Sequence, residues 1–384
     1  MKPLSPVDAI SPAFSRARTL LTPPGLAPGT PAPFRFWFFL KIAIIAALTQ
    51  PNVYGFLFGM FFEGLGLTLA AASIGVHHTD SSFILSGGAR SVFAAVILIL
   101  GFVALAFCIF LAWLWCRLRF ALFDLVVYRH GQVARSWSPY GSQAGRFLGL
   151  MVLVALTLLL LLAVTAGPLI LHFLLAVRHL TPQQINSNPA LVLSHILPMY
   201  GVIFFFILIA SLADAITQDF ILPPLAIEDA PLGSAFSRFF QFLRAHFGRC
   251  VLYLLVRLGL ELGLTWVGMM GLFVVFGIAL LGGGGVGFLL FHLLWHAGPG
   301  GITLFVLYCA AAGLLLIALY LILTFALYGA VALVKQCFAV YFYGSYYPAL
   351  GDRLEPPPDV PAGLVPPNSL PLPLAPLPDP HPLG

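Results

Sequence analysis

Polar residues in this chain are gathered into clusters, and the stretches between them are apolar all round rather than on one face as in a soluble amphipathic helix. Blocks of about 20 or more such residues are long enough to cross the hydrocarbon core of a bilayer. Five stand out: Val92 to Cys116, Phe147 to Leu171, Leu191 to Ile216, Leu262 to Leu281 and Ile302 to Val334. A sixth, Phe34 to Thr49, is shorter and contains Lys41, roughly 10 Å from its start, where the ammonium can snorkel back to the headgroups. The alternative for that run is an interfacial or re-entrant helix broken at Gln50-Pro51, with Val53 to Ile74 supplying the crossing. The pattern predicts an all-α polytopic membrane helix bundle of about six transmembrane helices. Residues 1–33 form a tail with an interfacial helix and a Pro-rich linker, 34–350 the membrane domain, and 351–384 a second tail.

Composition agrees: 60% of residues are hydrophobic and 8% charged, with a mean hydropathy of +1.01. All Lys and Arg fall in the N-terminal tail, the first run or alternate connectors, except Arg90, Arg178 and Arg257. By the positive-inside rule both termini are cytoplasmic, in the cell inner (plasma) membrane. The net charge of +5 is then a topology signal, and no separate basic domain points to nucleic acid. Lys2 is followed by no apolar segment before Pro23, so the first span is expected to insert the chain without a cleaved signal peptide. Cys108, Cys116, Cys250, Cys309 and Cys337 are scattered and odd in number, which argues against a disulfide framework or a zinc site. No cofactor is expected.

One tetrapeptide occurs twice, as Ala13-Phe14-Ser15-Arg16 and Ala235-Phe236-Ser237-Arg238, each ahead of a span on the cytoplasmic side. Ile10, Phe14, Ala17 and Leu21 recur at helical spacing around the first copy, and Phe236, Phe239, Phe240, Leu243 and Phe247 around the second. A degenerate third copy keeps the period through Val133, Trp137, Tyr140, Ala144 and Phe147, with Ser138-Pro139 echoing Ser11-Pro12 as an N-cap and first-turn proline. The predicted unit is an amphipathic interfacial helix followed by a two-span hairpin, three times over. Phe14, Arg16, Trp137, Phe236 and Arg238 are its expected headgroup anchors. Residues 355–384 hold 12 prolines and are expected to be extended and disordered, as is the linker at 22–33.

Ionisable residues at membrane depth are costly, which singles out Arg257 and Glu261. Four residues apart, they share a helix face and can pair. If their span begins at Cys250 they lie deep enough to line a path, and if it begins at Leu262 they anchor the helix at the interface. Asp214, Asp219, Glu228 and Asp229, around Pro223-Pro224, read as helix punctuation and caps. His292 and His296, with His77, His78 and Asp80 on the same side, read as interfacial histidines: Leu293 and Leu294 stand where a zinc-protease motif needs its glutamate and its neighbour. Gly282 to Gly285 lacks the Lys and Ser/Thr of a phosphate loop and is expected to be a flexible turn. Gly55 and Gly59 form a helix-packing signal of low specificity.

The segments Ala9-Ile10-Ser11-Pro12-Ala13-Phe14, Pro33 to Trp37 and Arg117 to Tyr140 resemble those of uncharacterised bacterial multi-pass membrane proteins. Phe220 to Glu228, followed by Ala235-Phe236 and a basic helix, is similar to the membrane domain attached to some glycerophosphodiester phosphodiesterases. The catalytic domain of those enzymes is absent, since every segment outside the spans is too short to hold one. The resemblance implies a bacterial inner-membrane protein without enzymatic activity. The leading expectation is a non-catalytic membrane scaffold or assembly partner, its partners the lipid bilayer and a second membrane protein. The alternative is a transporter or permease for a small or lipidic solute, and a lipid-modifying enzyme has no clustered carboxylates or histidines to support it.

Overall fold

The computed structural model describes residues 2–22, 36–50, 87–128, 140–178, 189–295 and 298–355. Every regular element among them is helical. Two short helices, α1 (Ile10–Leu21) and α2 (Phe36–Ala47), precede three long ones, α3 (Gly87–Tyr128), α4 (Gly141–Arg178) and α5 (Pro189–Ile216). A π-helical turn at Thr217–Ile221 leads into α6 (Leu222–Glu228) and α7 (Leu232–Ala245), then α8 (Phe247–Trp295), α9 (Pro299–Gly344) and α10 (Pro348–Leu354). Five helices, α3, α4, α5, α8 and α9, are long and apolar enough to cross a membrane.

Burial is concentrated at one end of the bundle. The last 16 residues of α9, Gly329 to Gly344, are almost all buried and form the axis of this base, while the stretch before them faces outward. Against that axis pack α1, α2, the end of α3, the π-turn, α7, the start of α8 and α10, while the start of α4 and α6 join the same core through other elements. Phe220 of the π-turn is the hub of its aromatic core, meeting Phe239, Phe242, Tyr253 and Tyr343 at ring separations of 5.2 to 5.6 Å. Each such pair adds about 0.5–1.5 kcal/mol beyond its buried area. Away from the base the long helices expose Leu, Ile, Val and Phe along most of their length. Such a surface is stable against lipid and would aggregate in water.

Several sequence expectations are corrected here. The run Phe34 to Thr49 yields a 12-residue helix, roughly 18 Å long, too short to cross a bilayer alone. It lies against α9 at Gly329, where a Cβ would collide with the Ala43 backbone, and turns Lys41 outward. α1 starts at Ile10 with no side-chain cap, so Ser11 is inside the helix. Pro223 and Pro224 do not end the helix: the helical backbone runs on through the π-turn into α6, and that turn has already displaced the hydrogen-bond ladder whose N–H groups proline lacks. Gly282 to Gly285 lies within α8. The expected aromatic face of α7 is divided: Phe239 is buried in the protein, with Phe242 beside it, whereas Phe240 and Phe247 are exposed. Residues 53–74, Gly55, Gly59, the Pro-rich linker and tail, and the segment carrying Val133, Trp137 and Ser138-Pro139 lie outside the described residues.

Candidate functional site

The π-turn decides which side chains enter the base. Leu222 N–H reaches back five residues to Thr217 O, and the extra residue leaves Thr217, Gln218, Asp219, Phe220 and Ile221 all buried. Single π-turns of this kind often mark functional sites. Asp219 receives the Tyr253 hydroxyl at 2.7 Å, and its Oδ2 lies 2.9 Å from Arg257 Nε. Tyr253 is stacked between Phe338 and Phe342, at 5.0 and 4.4 Å, so its hydroxyl is held in one direction. Beside it Gln218 Nε2 donates to Gln336 Oε1 at 2.7 Å.

Further ion pairs join the long helices. Arg119 of α3 meets Asp214 of α5 at 2.6 Å, with its guanidinium 3.8 Å from the centre of the Trp115 ring. Trp115 in turn donates to Thr49 O at 2.8 Å. Lys335 of α9 bridges Glu261 of α8 at 2.8 Å and Gln50, beyond α2, at 3.0 Å. The three pairs bring together α3, α5, α8, α9 and the π-turn, and their formal charges cancel. Buried charges are tolerated on those terms, since an unpaired ion at such a site costs several kcal/mol.

Arg257 and Glu261, expected to pair with each other, are instead bound to Asp219 and Lys335 respectively. Both still share one face of α8. That face lines a cavity of about 470 Å³ between α5 and α8, walled by Leu208, Leu212, Leu254 and Leu258, with Ser211 at its edge. Asp214 and Asp219 are pairing partners of buried arginines, which corrects their reading as punctuation. Asp229 ends α6 in the left-handed conformation and pairs with Arg146. Glu228 pairs with Arg238 at 2.7 Å and accepts from Tyr347, so neither carboxylate serves as a cap for α7.

The expected anchors divide. Phe14 is exposed and Phe236 packs at the rim of the core. Arg238 is partly exposed and held by Glu228. Arg16 is no headgroup anchor: it is 3% exposed and its guanidinium donates to Val126 O and Val127 O at 2.7 to 3.1 Å. It thereby satisfies carbonyls at the negative end of the α3 dipole. Trp137 lies outside the described residues. His292 contacts Phe288 and Phe291, whereas His296, His77, His78 and Asp80 are outside the described residues. No group of three metal-ligating side chains occurs among the described residues.

Sequence reasoning did not find the roles of Asp219, Lys335, Arg119, Gln218, Gln336 and Tyr253. The available signal was a set of charges at matching heights, since Arg119, Asp214, Glu261 and Lys335 each lie at or near the charged end of an apolar run. No curated protein and no solved structure matches the chain. Nothing found links it to glycerophosphodiester phosphodiesterases. The sequence profile of a family of unknown function, DUF7544, matches residues 4–353, and the chain therefore belongs to that family.

Proposed function

We propose that the chain is a non-catalytic integral membrane protein that serves as a scaffold or assembly partner within the bilayer, in the inner membrane with both termini cytoplasmic. The observation that carries this reading is a closed, charge-neutral base beneath long lipid-facing helices, with one lateral, mostly apolar cavity between α5 and α8. Such a base holds helices in register and leaves their flanks for lipid or another membrane helix. Leu4 N–H donates to Ser345 Oγ at 3.1 Å, so the segment before α1 meets the end of α9 at one face. That favours an even number of crossings, and Val53 to Ile74 is the apolar run available for a sixth.

The threefold plan is part of the proposal. Ala13, Ala17 and Leu20 are buried in the first copy, Tyr140, Ala144 and Phe147 in the third, and Ala235, Phe239 and Phe242 in the second. The spacing of four and then three residues is the same each time, the phase of one helical face.

A transporter or permease for a small or lipidic solute is the second reading, favoured by the presence of Arg257 and Glu261 in the cavity wall. Affinity purification in mild detergent, with proteomics and lipidomics on the eluate, separates the two. One stoichiometric protein partner is the expected result. A bound solute with no such partner would replace scaffolding by transport.

A further inference from the structure

The α5–α8 cavity combines a greasy wall with polar groups that the base does not fully use. Leu208 and Leu212 face Leu254 and Leu258 across it, while Arg257 and Glu261 stand one helical turn apart on the α8 side. Arg257 is 5% exposed, and its link to Asp219 runs through Nε. That Nε makes no well-aligned hydrogen bond although it stands 2.9 Å from the carboxylate, and a guanidinium has five N–H donors to place. Glu261 gives Oε1 to Lys335 and is about a quarter exposed.

Height matters as much as chemistry. From Leu262 to Phe291, α8 has no Asp, Glu, Lys, Arg or His, and α5 has none from Ile196 to Ala213. Arg257 and Glu261 are thus the last charged groups of α8 before its long apolar stretch. Charged side chains at such a boundary are stable when a polar group comes to meet them. A solitary anion would be drawn to Arg257 and repelled by Glu261, and a solitary cation the reverse. A molecule with both charges suits both residues.

We infer that the α5–α8 cavity holds one phospholipid with a zwitterionic, ammonium-bearing headgroup, its phosphate on Arg257, its ammonium on Glu261 and an acyl chain against the leucine wall. Side chains four apart on a helix stand about 5–6 Å apart at Cβ, a spacing that suits a phosphate and an ammonium joined by a two-carbon linker. The volume of about 470 Å³ falls in the range of about 300–1,000 Å³ for small-molecule sites, so part of one lipid fits. This inference deepens the scaffold reading by naming the occupant of its cavity, and it rests on that reading.

The test uses the full chain, purified in mild detergent and exchanged into bilayer discs that hold equal amounts of phosphatidylethanolamine, phosphatidylcholine and phosphatidylglycerol with identical acyl chains. Native mass spectrometry then counts the retained lipid. One phosphatidylethanolamine per chain is expected. Ser211→Trp, which fills the cavity without touching a charge, should lower retention about tenfold, equivalent to about 1.4 kcal/mol. Glu261→Gln should move the preference toward phosphatidylglycerol, because Arg257 remains while the carboxylate is gone. Retention in proportion to the mixture, a preference for phosphatidylglycerol in the unaltered protein, or an unchanged count in Ser211→Trp would each overturn the assignment. The measurement needs no protein partner, so it can fail while partner recovery succeeds, and the reverse.

Discussion

Asp219 sits at a junction of the base, because it pairs with Arg257 and accepts the Tyr253 hydroxyl. Asp219→Ala should lower the stability of the detergent-solubilised protein by about 3–5 kcal/mol, as expected when one partner of a buried ion pair is removed. Asp219→Asn keeps an acceptor for the tyrosine and should fall between; equal unfolding midpoints for all three proteins would refute this assignment. Tyr140 offers a second handle, outside the spanning helices. Burial, then the Asp124 carboxylate that accepts its hydroxyl at 2.6 Å, pushes its pKa above the ordinary tyrosine value. The folded state therefore favours the neutral phenol. That contribution is fully present below pH about 10, the unfolded value, and is lost as pH rises through the higher folded value. Spectrophotometric titration should give the protein and Tyr140→Phe the same phenolate yield through the ordinary alkaline transition, whereas one extra phenolate in the unaltered protein there would refute the shift. Arg257 and Glu261 were legible as unusual residues from their depth alone. Their partners were not, because i, i+4 spacing reports neighbours on one helix and says nothing of Asp219 or Lys335 on others.

The apolar runs located the long helices and misjudged their ends. Hydropathy marks where lipid can lie, whereas backbone hydrogen bonding continues α8 to 49 residues and α9 to 46, roughly 73 and 69 Å. Both exceed the hydrocarbon core of about 30 Å, and the surplus in α9 is the buried axis of the base. Among the misread elements α2 has the composition of a span but is a 12-residue helix packed on α9. Its approach to α9 depends on Gly329, where an added Cβ would strike the Ala43 carbonyl. Gly329→Ala should cost about 1–3 kcal/mol, the usual range for overpacking. Gly313→Ala, on the same helix with nothing near the new methyl, should be neutral or stabilising by up to about 1 kcal/mol. Matching thermal shifts for the two variants would mean that α2 does not sit where it is described.

For the molecule as a whole, the arginine distribution and the position of the base make one statement about sidedness. α3 ends in the base at Tyr128 and α4 returns from it; the proposed topology expects a reporter fused after Tyr128 on the basic side and one after Arg178 on the other. Paired reporter fusions should be active in opposite compartments, and the same compartment for both would undo the topology. The link between Leu4 and Ser345 spans 341 positions of the chain, and Lys335 reaches 285 positions back to Gln50. During synthesis, α1, α2 and α3 therefore emerge long before the helix they enclose, and must wait beside the ribosome and insertion machinery with Gln50 still lacking Lys335. Nascent chains halted just before Phe338 should be cleared by membrane proteases, while chains released after Leu354 should survive, the last 17 residues of the domain turning a set of inserted helices into a finished protein.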